Sequence, residues 1–172
     1  MIEILIAVVV VVGVLAAADL LLSFAVIRRL AALQSRMRAG YGGDGSPAVG
    51  YRVEDFRVRL LAGGDFTRSD LEDTRAVVVL LMATCEPCHK VIEELRALSV
   101  PLSWPLYVLI TGTGTDVAAQ MPPGAHVAEI PAGDPVIGAF GADGFPTVLA
   151  LEDGLVRGSG LSLDCVLEHA GR

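Results

Sequence analysis

The chain has 172 residues, of which 53% are hydrophobic and 19% are charged, and its formal net charge is −7. This composition is too apolar for a disordered protein, and the negative charge, without any basic run, excludes nucleic acid as an expected partner. Three cysteines are too few for a disulfide-stapled scaffold, and the length leaves room for one ordinary domain besides a membrane segment.

The N-terminal part of the sequence predicts a membrane anchor. After a short tail at residues 1–3, residues 4–27 are apolar except for Asp19 and Ser23. About 24 residues form about 36 Å of helix, enough to cross a hydrocarbon core of roughly 30 Å. A cleaved signal peptide fits poorly, because no basic residue precedes the apolar run. We therefore predict a single transmembrane helix that contacts membrane lipid and locates the protein at the cell membrane.

Charges in and around this segment bear on its orientation and contacts. No Lys or Arg precedes it, whereas Arg28, Arg29, Arg36 and Arg38 follow it, so the positive-inside rule places the rest of the chain on the cytoplasmic side. Asp19 lies near the middle of the span, where an aspartate costs on the order of 2.5–3.5 kcal/mol on insertion scales. The residues leave two interpretations open: contact with another membrane helix through Asp19, or simple tolerance by a very hydrophobic span.

The remainder divides into a basic, glycine-rich linker at residues 28–48 and a folded domain at residues 49–172. Hydrophobic periodicity and turn residues predict the elements of this domain in chain order. They are strands at 56–61, 76–82, 106–111, 126–130, 146–151 and 155–157, helices at 88–99, 115–121 and 134–140, and a C-terminal helix that contains Cys165, expected to be a small core residue. Strand–helix–strand followed by a hairpin and a final helix predicts a mixed α/β layered domain.

A cysteine pair, Cys85-Glu86-Pro87-Cys88, stands between the apolar strand 76–82 and an amphipathic helix. The unpaired N–H groups and positive dipole end of a helix start favour negative charge, so we expect the first thiol to ionise more readily than a free cysteine. A proline in the first helical turn loses no hydrogen bond, which supports this placement. We therefore interpret the pair as a redox-active dithiol.

Together with this pair, Gly144-Phe145-Pro146-Thr147 before an apolar strand resembles the thioredoxin fold. Over about residues 49–170 the chain is most similar to membrane-anchored TlpA/ResA-type thiol–disulfide oxidoreductases. This resemblance implies disulfide exchange with protein thiol or disulfide substrates, with Cys85 as the nucleophile and Cys88 as the resolving cysteine. It further implies a cis Phe145–Pro146 peptide bond facing the dithiol, at an edge that pairs with the substrate backbone.

The sequence departs from this pattern near the dithiol. Thioredoxins usually carry an acidic residue in the strand before the cysteines, whereas 76–82 is wholly apolar; Thr84 replaces the usual aromatic residue, and Trp104 lies elsewhere. Efficient general reductase turnover is therefore in question. The charge of Glu86 opposes thiolate formation and a protonated His89 favours it, so both are candidates for tuning the cysteine pKa and equally fit solvated helix-start positions.

Other functions stay open from the residues alone. Cys85, Cys88 and His89 fit the c-type haem attachment pattern, for which His126 or His169 is a candidate axial ligand. A thiol peroxidase and a non-catalytic interaction module are further alternatives, and two soft thiolates also suit metal transfer. We predict no resident metal or cofactor. The membrane side of the domain is likewise open, because relatives of this type mostly work outside the cytoplasmic membrane.

Overall fold

The computed structural model of the protein describes residues 45–98, 102–112 and 115–170. The predicted tail, the transmembrane segment with Asp19, and the linker up to residue 44 lie outside the described residues. Within these ranges, each helix is too short or too polar to cross a membrane.

The described residues form four α-helices and seven strands. The strands are β1 (Arg57–Arg59), β2 (Asp65–Thr67), β3 (Arg75–Met82), β4 (Leu106–Thr111), β5 (His126–Ile130), β6 (Thr147–Glu152) and β7 (Leu155–Gly160). The helices are α1 (Glu86–Arg96), α2 (Thr115–Ala118), α3 (Val136–Ala139) and α4 (Asp164–Ala170), and a 3₁₀ turn spans Arg68–Leu71.

The main sheet of the described region has five strands in the order β5-β4-β3-β6-β7. Strand β4 runs parallel to β3 and β5 runs parallel to β4, whereas β6 is antiparallel to both β3 and β7. Strands β1 and β2 form a separate antiparallel hairpin. The sheet is therefore mixed, and the carboxyl ends of β3, β4 and β5 lie at the same end as the start of β6.

Strand β3 is central because both of its faces are covered. Val78 and Leu80 pack into one core cluster with Phe140, and Val79 and Leu81 pack into a second cluster on the opposite face. A strand that is buried on both sides reads as a continuous apolar run, which is why residues 76–82 show no alternation. The second cluster also contains the buried face of α1 and residues of α4.

Helix α1 buries its apolar residues at helical spacing and begins earlier than predicted. Cys88, Val91, Ile92 and Leu95 are buried. Cys85 is the N-cap residue, so the helix starts at Glu86 instead of residue 88 and ends at Arg96 instead of residue 99. The first turn contains Pro87, as expected at a position that needs no N–H donor.

The segment that enters the domain covers the edge of β7. The Gly50 N–H donates to the Val156 carbonyl at 2.8 Å, and the Ser159 hydroxyl donates to the Pro47 carbonyl at 2.7 Å. Covering an edge strand removes a site for unwanted strand pairing. The Asp143 N–H donates to the Gly45 carbonyl at 3.2 Å, so this segment also supports the loop before β6.

Candidate redox site

Strand β3 delivers Cys85 to the start of α1. The Cys85 N–H donates to the Met82 carbonyl at 3.1 Å, which closes a tight turn between the strand and the helix. The Cys85 side chain is half-buried, and Cys85 is the N-cap residue of a helix whose first turn contains Pro87. The first sulfur therefore lies at the positive end of the helix dipole, as the sequence predicted.

Cys88 lies one helical turn further and is fully buried. Its N–H donates to the Cys85 carbonyl at 3.1 Å. Burial raises the pKa of the Cys88 thiol to about 12. A hydrogen bond with the Cys85 side chain and the negative charge of Cys85 also raise this pKa, whereas a backbone hydrogen bond with Met82 lowers it. Both cysteines are free thiols, so the structure shows the reduced dithiol.

The loop before β6 brings a backbone edge to the first sulfur. The Phe145–Pro146 peptide bond is cis, the geometry that the resemblance implied. The Cys85 thiol donates to the Phe145 carbonyl at 3.6 Å, across 60 residues of sequence. The Thr147 hydroxyl donates to the Gly144 carbonyl at 2.8 Å and so holds the turn that presents this edge.

The two candidate tuning residues are both at the surface. Glu86 is the first residue of α1, His89 follows Cys88, and both side chains are exposed. Neighbouring Lys90 pairs with Glu94 at 3.9 Å. The structure thus keeps both candidates next to the cysteines along the chain and in contact with solvent.

The surroundings of Cys88 match the apolar strand seen in the sequence. Hydrophobic side chains of β3, including Val79 and Leu81, pack in the same core cluster as Cys88. Glu129 lies on the same face of the sheet, because it pairs with Ile110 of that cluster, and its Oε1 atom is buried. Trp104 lies near Arg75, whose guanidinium carbon is 5.7 Å from the Trp104 ring centroid. Arg75 begins β3 and Cys85 follows its end, so the tryptophan is at the far end of the strand from the dithiol.

Two parts of the site were not predicted from the sequence. One is the Met82 backbone, which contacts both cysteines, and the other is Asp143, whose N–H binds the Gly45 carbonyl. The Gly-x-Pro-Thr pattern marked the turn but not the segment that supports it. In the described ranges, no three His, Cys, Asp or Glu side chains are grouped so that they could hold a metal ion.

Comparisons with known proteins place this geometry in a structural class. No protein-family model and no curated protein matches the chain. A solved structure titled a putative thiol:disulfide interchange protein DsbE from Chlorobium tepidum is similar with a TM-score of 0.55 and 18% identity, covering 72% of this chain and 99% of that one. A thio-disulfide isomerase from Thermus thermophilus is similar with a TM-score of 0.54 and 20% identity, covering 72% and 97% of the two chains.

The thioredoxin domain of a thiol-disulfide oxidoreductase from Bacteroides vulgatus gives a TM-score of 0.54 and 17% identity, covering 72% of this chain and 96% of that one. At such identities a structural likeness establishes the fold, whereas function depends on the site. The described domain has a thioredoxin-like α/β fold around a central mixed sheet, and this part of the predicted fold is confirmed.

Proposed function

We propose that the chain is a membrane-tethered thiol–disulfide oxidoreductase that exchanges disulfides with protein substrates through Cys85 and Cys88. The observation that carries the proposal is the position of the Cys85 sulfur, at a helix start and 3.6 Å from the Phe145 carbonyl. Fold analogy with solved structures described as thiol–disulfide interchange proteins supports the same reaction class.

Each cysteine has a role that follows from its surroundings. Cys85 is accessible, so its thiolate attacks one sulfur of a substrate disulfide, forms a mixed disulfide and releases the other substrate sulfur as a thiolate. Cys88 then loses its proton and attacks the Cys85 sulfur, which releases the second substrate thiolate and leaves a Cys85–Cys88 disulfide. Two electrons pass from the protein to the substrate, and the reverse sequence oxidises a substrate dithiol.

The second step is the slow one in this proposal. Burial raises the pKa of the Cys88 thiol to about 12, and strand β3 before the cysteines carries no acidic side chain to accept its proton. A resolving thiol must ionise before it attacks. The mixed disulfide on Cys85 is therefore expected to persist long enough to be isolated. We assign the backbone of Phe145 and Pro146 to bind the substrate backbone while this mixed disulfide exists.

The tether belongs to the proposal as well. Residues 4–27 are assigned as the membrane anchor from their length and apolarity. The arginines after this segment favour a cytoplasmic domain, and the resemblance favours the opposite side. A reporter enzyme that is active on only one side of the membrane, fused to the C-terminus, distinguishes the two.

Trapping the intermediate tests the chemistry. Full-length Cys88→Ser, reduced and then mixed with insulin as a disulfide-containing protein, is expected to accumulate a covalent adduct that dithiothreitol reverses. Cys85→Ser is expected to form none. Cys165→Ser, which removes a half-buried thiol of α4, serves as the matched control and should behave like the unaltered protein. If Cys88→Ser formed no adduct, the chain would be a non-catalytic module.

A further inference from the structure

The charges around the reactive sulfur are of one sign. Exposed Glu86 directly follows Cys85 in the chain. Exposed Asp143 lies two residues before Phe145, whose carbonyl is 3.6 Å from the Cys85 sulfur. Both residues therefore lie within two positions along the chain of Cys85 or Phe145, the two residues that meet at the reactive sulfur.

Few basic residues lie near these two carboxylates along the chain. Residues 83–88 and 141–147, which form the two sides of the site, contain no Lys or Arg. The loop after β5 lies at the same end of the sheet and carries Asp134, whose carboxylate accepts the Val136 N–H at 2.9 Å. Exposed His89 follows Cys88, and Lys90 is paired with Glu94. A formal net charge of −7 for the whole chain adds to the negative potential.

We propose that Glu86 and Asp143 are specificity-determining residues, which make the site select disulfides flanked by basic residues and react slowly with anionic disulfides. This inference rests on the proposed disulfide exchange. Electrostatic complementarity acts on encounter and on the choice of partner, and like charges brought together disfavour the wrong one. Unit charges about 7 Å apart in water interact by roughly the thermal energy, so each carboxylate is expected to change a rate by about threefold.

The step that reveals this selection is the formation of the mixed disulfide. The Cys85 thiolate attacks one sulfur of a symmetrical peptide disulfide, and one peptide leaves as a thiolate. The other peptide stays bound to Cys85 and places the residues on either side of its cysteine near Glu86 and Asp143. With Cys88 replaced by serine, the reaction stops there, so its rate reports on the encounter and the attack alone.

Two capped peptide disulfides of matched length, with the sequences Lys-Cys-Lys and Glu-Cys-Glu, serve as probes. The protein is the full-length chain carrying Cys88→Ser and Cys165→Ser, and adducts are counted by mass spectrometry after acid quench. Each rate is divided by the rate at which N-acetylcysteinamide, an uncharged thiol, reacts with the same peptide disulfide. This division corrects for differences in intrinsic reactivity between the two peptide disulfides. The normalised ratio of the Lys to the Glu peptide is expected to be roughly eightyfold at low salt, because each of the two carboxylates speeds one peptide and slows the other by about threefold.

Glu86→Gln and Asp143→Asn are each expected to lower that ratio by about ninefold, because each removes a threefold acceleration of one peptide and a threefold slowing of the other. Glu72→Gln is the matched control: it also removes one negative charge, but it precedes β3, at the end of the strand opposite Cys85, and should leave the ratio unchanged. In about 1 M salt, where the Debye length is about 3 Å, the ratio should fall towards one.

The outcomes separate the two proposals. No adduct with either peptide would overturn the proposed disulfide exchange itself. Adducts that form at equal normalised rates would leave the exchange intact and overturn the charge selection. An equal fall of the ratio in Glu72→Gln and Glu86→Gln would show that overall charge, and not these two residues, controls the rate, and would also overturn the inference.

Discussion

At the residue scale, the two cysteines of the site differ in the solvent exposure of their thiols. Cys85 is half-buried at the helix start, whereas Cys88 is fully buried among apolar side chains. An ionised sulfur in such a cluster loses its hydration without gaining a charge partner, which raises the pKa of Cys88. The folded state therefore holds the Cys88 proton to higher pH than the unfolded chain does.

This difference predicts a loss of stability in alkaline solution. The unfolded Cys88 thiol ionises near its ordinary pKa of 9.0 and the folded one near 12, so the folded state binds more protons in between. The free energy of unfolding of the reduced protein is then expected to fall by up to about 1.4 kcal/mol per pH unit above pH 9. Urea unfolding from pH 8 to 10.5 measures this slope.

Cys88→Ser provides the comparison for that slope. Burial, with a smaller effect of the Asp70 charge, raises the pKa of Tyr107. Tyr107 therefore also lowers the free energy of unfolding at alkaline pH, and it does so equally in the unaltered protein and in Cys88→Ser. The difference between the two proteins therefore isolates the contribution of Cys88. Parallel curves of unfolding free energy against pH would show that Cys88 ionises in the folded state as it does in the unfolded chain.

At the element scale, the contact between α4 and β7 depends on two glycines of the strand, Gly158 and Gly160. A Cβ at Gly160 would lie 2.7 Å from the Cys165 sulfur, and a Cβ at Gly158 would lie 2.6 Å from a ring carbon of His169. The glycines thus let the helix pack closely on the strand. Cys165 is half-buried there, and its thiol donates to the Ser162 carbonyl at 2.7 Å, which agrees with a packing role for this residue.

We expect Gly160→Ala to destabilise the protein by about 1–3 kcal/mol, because the added methyl group overpacks this contact. Adding Cys165→Ala removes the clashing sulfur and should restore part of the loss, a coupling that a double-mutant cycle measures. Gly138→Ala is the matched control, since a Cβ there meets no atom within 4 Å. Equal stabilities of Gly160→Ala and Gly138→Ala would contradict the close packing.

Secondary structure was predicted best where it repeats over many residues. The apolar run at 76–82 and the helical spacing after Cys85 are long enough to identify β3 and α1. Strand β2, at Asp65–Thr67, was missed because three residues carry no period and become a strand only by pairing with β1. The start of α1 was placed two residues late, an ordinary uncertainty of helix boundaries.

At the scale of the whole molecule, the proposal joins a redox domain to an anchor. A span as apolar as residues 4–27 is stable in a bilayer because its backbone groups bond internally and its side chains need no water. In this proposal the tether confines the domain to a membrane surface and so limits which protein disulfides it meets.

Two lysines in the middle of the span, Val11→Lys with Leu15→Lys, are expected to release the protein from membranes, since each adds on the order of 2.5–3.5 kcal/mol to insertion. The unaltered chain should remain in the pellet after washing with alkaline carbonate. Val49→Lys, at an exposed hydrophobic residue of the domain, is the control and should stay in the pellet too. Release of the unaltered chain by carbonate would contradict the anchor.

The sequence by itself determined the α/β class, the central strand and the place of Cys85 and Cys88 at a helix start, because these follow from local periodicity and from residues close together in the chain. The resemblance implied that Phe145 and Pro146 face the dithiol, but only the tertiary structure gave the contact between the Phe145 carbonyl and the Cys85 sulfur and the full burial of Cys88. Contacts between residues some 60 positions apart depend on how the whole sheet packs, and local spacing carries no record of that packing.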